Sequence, residues 1–230
     1  MRGGSPPEES ATMGKVRWIH CRMMTRPWHW HGGWLPEPDC RHWQALLSER
    51  LLWQQPVVQV YGREHPVPRL TLYLADPGLA YRYSGVVHRG EGWPDWFRPL
   101  LERVRAAAKT PFNGCLLNLY RHGNDRMGWH ADDEPEIAAD QAIASLSLGA
   151  SRTFQFRHRQ TRERHDLELG DGDLLVMAPG CQQAWLHAVP VRKKVTTARI
   201  NLTFRVFRPP AGPTPVTAGR SAAPTTRAAQ

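Results

Sequence analysis

Long apolar runs are missing from this chain of 230 residues. Its uncharged stretches reach only strand length, far below the roughly 18 to 20 residues that a membrane span requires. No membrane is therefore expected as a partner, and the N-terminus lacks the apolar core of a secretory signal. Cysteine is scarce as well. Cys21, Cys40, Cys115 and Cys181 lie far apart with no CxxC pair, which argues against a zinc ribbon or a redox motif and leaves reduced thiols. No internal repeat is present. What the chain does have is 41% apolar residues, enough for one core with tails and too many for a disordered chain. A soluble monomer in the cytoplasm or nucleoid, or in the nucleus of a eukaryote, is the expectation.

The charge is one-sided: 30 basic against 21 acidic residues give +9. Most of the excess falls on the central part of the chain rather than on its ends, and such a surplus favours a polyanionic partner. Only four of the 30 basic residues are lysine, and arginine suits bidentate phosphate contacts.

Three segments are expected. Residues 1–38 mix Gly, Pro, Ser and Glu with the patch Trp28-His29-Trp30-His31, which shows no helical or strand period, and read as an extended arm. Two nearby histidines, His29 and His31, lack a third ligand for a metal. Residues 209–230 are Pro, Ala, Gly, Thr and Ser with almost no large apolar side chain, and read as a disordered tail. Between them, residues 39–208 form the folded domain. The spacing predicts helices near 39–52, with Asp39 as N-cap, and near 95–108, with Leu100, Leu101 and Val104 in phase. The remainder reads as about eight short strands, near 57–61, 70–73, 114–120, 142–148, 153–156, 166–169, 174–177 and 199–207, separated by turn residues. Two early helices followed by strands, without βα alternation, predict an α+β fold with helices backing an antiparallel jelly-roll.

Among the 11 histidines only His130 has an acid two positions later, Asp132. On a strand those two side chains face the same way. With His187 downstream they make two imidazoles and one carboxylate, the facial set that holds non-haem Fe(II) and leaves positions open for a chelating co-substrate and dioxygen. Twelve residues after His187 comes Arg199-Ile200-Asn201-Leu202-Thr203-Phe204-Arg205. Alternation puts Arg199, Asn201, Thr203 and Arg205 on one face. Two arginines on one buried face need an anion, and a dicarboxylate fits.

These residues, with Asn118-Leu119-Tyr120, the run His130 to Glu134 and the strand Ser145 to Gly149, resemble the AlkB-type Fe(II)/2-oxoglutarate dioxygenases over roughly residues 56 to 207. The likeness is strongest toward the vertebrate nuclear DNA-repair branch, because of Val58 to Gly62 and the HxDDE run. That branch carries Phe where this chain has Tyr61. The resemblance implies a double-stranded β-helix core and cofactors Fe(II), 2-oxoglutarate and O2. It implies iron on His130, Asp132 and His187. It places Arg199, helped by Tyr120 and Asn201, at the distal carboxylate of 2-oxoglutarate, with Arg205 and Asn118 at the chelating end and Thr203 nearby. The hairpin Val60-Tyr61-Gly62 would enter the duplex, Tyr83, with its neighbour Tyr81, would stack on a flipped base, and Asp133 and Glu134 would meet the base edge. Arg69 would reach the opposite DNA strand. The implied reaction is oxidative demethylation of bases of the 1-methyladenine and 3-methylcytosine type, releasing formaldehyde, succinate and CO2. Methylated RNA as substrate, or a non-catalytic nucleic-acid-binding role on the same fold, are the alternatives. The basic runs Arg157 to Arg164 and Arg192-Lys193-Lys194 read as phosphate grips.

Overall fold

The computed structural model describes residues 26–60, 62–83 and 86–208. Its helices are α1 (Glu37–Arg50), α2 (Arg98–Ala108) and the single turn α3 (Cys181–Ala184). The strands in chain order are β1 (Trp28–His31), β2 (Val57–Val60), β3 (Arg63–Pro66), β4 (Leu70–Ala75), β5 (Ala80–Tyr83), β6 (Val86–Arg89), β7 (Gly114–Tyr120) and β8 (Met127–His130). They continue with β9 (Ile143–Gly149), β10 (Arg152–His158), β11 (Arg164–Leu169), β12 (Leu174–Met177), β13 (Trp185–Val189) and β14 (Arg199–Arg205). Two antiparallel sheets face each other, one ordered β1-β12-β9-β14-β7-β4 and the other β11-β10-β13-β8, with β2-β3 and β5-β6 as separate hairpins. The α+β jelly-roll expected from the sequence is the observed architecture.

Burial explains the layering. Strand alternation sends every second side chain to each face. Ile200, Leu202 and Phe204 of β14 join Leu117, Leu146 and Leu148 in one cluster with Leu47 of α1 and Leu100, Leu101 and Val104 of α2. The helices thus back the six-stranded sheet, each buried aliphatic side chain contributing about 1.5–3 kcal/mol. The opposite face of that sheet meets the four-stranded sheet through Tyr120, Leu175, Phe154, Phe156 and Trp185. Because both faces are covered, all seven residues of β14 are buried.

Several local expectations need correction. The patch Trp28 to His31, read as an arm without strand period, is β1, an edge strand pairing Trp28 with Met177. One inward residue suffices: Trp28 stacks on Phe156 with centroids 3.8 Å apart, while the next three residues stay exposed. Helix α1 begins at Glu37, not at Asp39, because Pro36 and Pro38 suit the entry and first turn. Asp39 instead accepts a hydrogen bond from Arg103 Nη1 at 2.8 Å. The helix stops at Arg50, leaving Leu52 85% exposed. The strand total exceeds the expected eight because β3, β5, β6, β8 and β13 are four- or five-residue pieces with mixed faces. Cys40, Cys115 and Cys181 are free and buried, and Cys21 lies outside the described residues. No helix among the described residues is long and apolar enough to cross a membrane.

Candidate metal and co-substrate site

His130 ends β8 and His187 sits within β13, its partner in the four-stranded sheet, where the two residues are in register. Their ring centroids lie 4.1 Å apart. Asp132 is not on the strand as expected. It follows the strand end in the loop 131–134, held there by two contacts the sequence did not reveal. Its backbone N–H donates to Gln182 Oε1 of α3 at 3.0 Å, and its Oδ1 is ion-paired with Arg205 Nη2 at 2.8 Å. One ligand atom from each of His130, Asp132 and His187 falls within 4.8 Å of the others, the only such group of metal-binding side chains among the described residues.

The protonation states suit a metal. His130 Nδ1–H donates to Gly128 O at 2.9 Å, which leaves the lone pair of Nε2 facing Asp132. Burial pushes His187 down to about 3, aided by the neighbouring His130, and lowers His130 as well, so both imidazoles stay neutral. For Asp132 burial acts to raise the value, but the Arg205 guanidinium overcomes it and holds the carboxyl at about 2. Apart from the Arg205 ion pair, neither carboxylate oxygen of Asp132 has a hydrogen-bond partner, nor has His187 Nδ1. Neutral imidazoles beside an ionised carboxylate with unused lone pairs fit a divalent cation.

Beside them lies a cavity lined by Asn118, Ser145, Asn201, Thr203, Arg205, Met127, Phe154 and Met177. Arg199 Nη2 donates to Ser147 Oγ at 2.9 Å, and Asn201 Nδ2 to Ser145 Oγ at 2.7 Å. Thr203 Oγ1 donates to Asn201 Oδ1 at 3.0 Å. The Arg199 guanidinium lies 5.5 Å from the centroid of the Tyr120 ring. Nε and Nη1 of Arg199 and of Arg205 are buried without a partner. Burial pulls Arg199 down to about 10, whereas Asp132 overcomes the effect of burial on Arg205 and holds it above its ordinary value. Unpaired buried guanidinium donors each cost a few kcal/mol unless an anion meets them. The arrangement therefore fits a dicarboxylate chelating a metal at one end.

The structure separates the remaining expected residues. Asn118 joins the cavity, but Arg69 does not point outward toward a second DNA strand. It is buried, and its Nε donates to Asn118 Oδ1 at 2.7 Å, because it enters β4, which pairs with β7 at Asn118. Tyr81 is likewise no free stacking surface. It is 1% exposed and packs on Phe207 and Tyr73. Tyr83 ends β5, Val60 ends β2, and Gly62 is exposed at the tip of the β2-β3 hairpin with φ +74. Tyr61 lies outside the described residues. Asp133 is exposed and accepts from Arg159 Nη2 at 2.6 Å. Glu134 is half-buried with Oε2 unpartnered, and burial, followed by the charge of Asp132, raises it. The basic run 157–164 spans the end of β10, the β10-β11 turn and the start of β11, where the paired Arg157 and Arg164 lie 4.3 and 5.2 Å from the Trp129 ring. Arg192 donates to Thr153 Oγ1 at 2.8 Å. Of the residues the sequence missed, Ser145 and Ser147 carried a signal, their alternation with Leu146 and Leu148. Gln182 carried none.

The profile of the 2OG-Fe(II) oxygenase superfamily matches residues 28–205. The DNA oxidative demethylase ALKBH2 of Mus musculus is 41% identical over 164 residues, covering 66% of this chain and 67% of that protein. ALKBH2 of Bos taurus is 41% identical over 160 residues, covering 66% and 58%. The alpha-ketoglutarate-dependent dioxygenase alkB homolog 3 of Homo sapiens is 36% identical over 173 residues, covering 71% and 60%. The match thus spans 58% to 67% of the length of these curated relatives. Among solved structures, OsALKBH1 superposes with a TM-score of 0.55 at 18% identity, covering 79% of this chain and 99% of that one. A 2OG-Fe(II) oxygenase-family oxidoreductase from Burkholderia pseudomallei gives 0.54 at 16%, covering 78% and 84%. At such identities the likeness is one of fold.

Proposed function

Because the chain belongs to the 2OG-Fe(II) oxygenase superfamily, we propose that it is an Fe(II)/2-oxoglutarate-dependent DNA oxidative demethylase, acting on bases of the 1-methyladenine and 3-methylcytosine type. The observation that carries this reading is the set of unpaired buried guanidinium donors of Arg199 and Arg205 next to the His130, Asp132 and His187 cluster. The names of the relatives at 41% identity support the substrate class.

In this reading His130, Asp132 and His187 hold Fe(II). Arg199, Tyr120 and Asn201 receive the distal carboxylate of 2-oxoglutarate. Arg205 and Asn118 stand at the chelating end with Thr203 nearby. Iron, when bound, supplies the activation of O2 that is coupled to decarboxylation of 2-oxoglutarate. The N-methyl carbon is oxidised and leaves as formaldehyde, so that methylated base, O2 and 2-oxoglutarate become restored base, formaldehyde, succinate and CO2. The chain's own part is to orient these groups and to exclude water with Phe154, Met127 and Met177. Asp133 and Glu134 offer negative charge at the site, which suits a base whose methylation makes it cationic. Tyr83 stacks on the flipped base against His130, and stacking of about 1–3 kcal/mol offsets much of the cost of leaving the duplex. The Val60-Tyr61-Gly62 hairpin fills the space left behind. The exposed Lys193 and Lys194 and the β10-β11 turn grip phosphates, and work on DNA in a nucleoid or nucleus goes with that reading.

The test is a formaldehyde assay on matched single-stranded DNA, double-stranded DNA and RNA oligonucleotides carrying one methylated base, with Asp132→Ala as control. Release from DNA that requires 2-oxoglutarate and is lost in the control is expected. Release from RNA alone would move the substrate to RNA. No release from any oligonucleotide, with the metal and 2-oxoglutarate bound, would leave the non-catalytic binding role.

A further inference from the structure

Strand β10 turns Phe154 and Phe156 into the space between the sheets, and Phe154 stacks on the His187 ring with centroids 5.3 Å apart. Arg152 shares that inward face two residues earlier, at the end of the sandwich where Arg199 lies, and it is 1% exposed. A charged side chain facing inward from a β-sandwich is costly unless something there requires it.

Arg152 has two sets of neighbours. Its Nη2 donates to the carbonyls of Asp125 at 2.8 Å and Pro190 at 2.7 Å, and its Nη1 to that of His122 at 3.4 Å. These bonds join the β7-β8 loop to the start of the β13-β14 connection. On its other side the guanidinium carbon lies 5.6 Å from the centroid of the Tyr120 ring, and that of Arg199 lies 5.5 Å from the same centroid. Arg152 Nε is buried without a partner, as are Nε and Nη1 of Arg199. The nearest acid gives little relief, since the Asp125 carboxylate is taken by Arg121 Nε and Nη2 at 2.8 and 3.0 Å. Among the described residues neither Arg152 nor Arg199 makes a salt bridge. Loop stapling accounts for the carbonyl contacts but not for a second guanidinium on the ring that Arg199 already occupies, with a donor left over.

We propose that Arg152 is a positioning residue for the distal-carboxylate end of the 2-oxoglutarate site: it holds the Tyr120 ring against Arg199 and, as a second buried cation there, makes that end selective for a dicarboxylate. This rests on the reading of Arg199 as the partner of the distal carboxylate. Two like charges around one ring repel each other while the end is empty, and a carboxylate anion relieves both. A methyl group in the same place relieves neither. Burial lowers the affinity of both guanidiniums for their protons, and the charge of Arg152 lowers that of Arg199 further. The anion reverses that penalty.

The test uses the full Mn(II)-loaded chain and calorimetric titration with 2-oxoglutarate and with 2-oxopentanoate, which keeps the chelating end but carries a methyl for the distal carboxylate. Melting curves establish that each variant is folded. Arg152→Gln keeps amide donors for the carbonyls and removes the charge. It should weaken 2-oxoglutarate about tenfold or more, the loss of one charge-assisted contact, and leave 2-oxopentanoate unchanged. Arg152→Lys keeps the charge and loses the fork, and should retain the preference for 2-oxoglutarate. If Arg152→Gln does not fold, Arg152→Met takes its place with the same expected loss for 2-oxoglutarate alone, and retained preference in it overturns the proposal. Equal weakening of both ligands by Arg152→Gln, or of neither, reduces Arg152 to a loop staple. Failure of the parent chain to discriminate the two acids overturns the reading of Arg199 as well, and so is told apart from failure of Arg152 alone.

Discussion

Replacing Arg205 by methionine, which fills a similar volume without charge, isolates the ion pair on which the proposed metal site is built. The two side chains are 4% and 1% exposed and meet at 2.8 Å, so water cannot take over for the missing guanidinium. Asp132 would keep only the bond from its backbone N–H to Gln182 and the edge of His130, whose Nε2 is 3.9 Å away. Both imidazoles nearby are held neutral by burial and cannot serve as cations. Breaking a buried pair by removing one partner costs about 3–5 kcal/mol. At roughly 2–4 °C per kcal/mol for a chain of this size, the melting temperature of chelator-treated Arg205→Met should fall by about 6–20 °C. A divalent cation puts back the positive charge that Asp132 has lost. Added Mn(II) should therefore raise the melting temperature of Arg205→Met more than that of the parent. Melting followed by circular dichroism, with chelator and with Mn(II), measures both effects. A drop below about 1 kcal/mol without metal, or equal Mn(II) stabilisation of both proteins, would show that Asp132 does not depend on Arg205.

Three other perturbations separate the parts of the site. Arg199→Ala should raise the 2-oxoglutarate requirement about tenfold or more through loss of a charge-assisted pair, with Mn(II) affinity unchanged, and an unaltered requirement would refute its role. Gln182→Leu leaves the buried Asp132 N–H unsatisfied, costing about 1–3 kcal/mol of stability, and should also weaken Mn(II) binding. A change in stability without a change in metal affinity would make Gln182 a packing residue. Tyr61→Ala should lose much of its activity on methylated double-stranded DNA and keep most of it on the same lesion in a single strand, where there is no hole to fill, while Tyr61→Phe behaves as the parent. Equal losses on both substrates would make Tyr61 an ordinary exposed aromatic.

What the sequence revealed and what it hid follow one division. Features with a local period were legible: α2 from Leu100, Leu101 and Val104, and β14 from its alternation. So were residues whose chemistry narrows the choice, such as the pair His130 and Asp132. Features made by tertiary contact were not. Trp28 to His31 becomes a strand only because β12 offers an edge and Phe156 offers a ring to stack on. The burial of Arg69 depends on the register of β4 against Asn118 on β7, and that of Tyr81 on Phe207, 126 positions along the chain. Gln182 reaches Asp132 from a helix of a single turn that no periodicity could announce.

The alternation of β14 shows how the same pattern can carry two meanings. Read as a strand with one wet face, Arg199, Asn201, Thr203 and Arg205 would be ordinary surface residues. In the fold β14 is central, between β9 and β7, and its polar face is closed off by the second sheet. Polar and apolar alternation then separates two buried environments, the apolar one against α1 and α2 and the charged one against β8, β10 and β13. A charged buried face is tolerable only where its charges are answered. Asp132 answers Arg205 from within the chain, and Ser147 takes one donor of Arg199. The donors still unanswered, on Arg199, Arg205 and Arg152, lie on the side chains that converge on the cavity and on the Tyr120 ring. A dicarboxylate held there would therefore stabilise the fold alongside its core, and 2-oxoglutarate should raise the melting temperature of the metal-loaded protein with the logarithm of its concentration, continuing to rise after the site is filled.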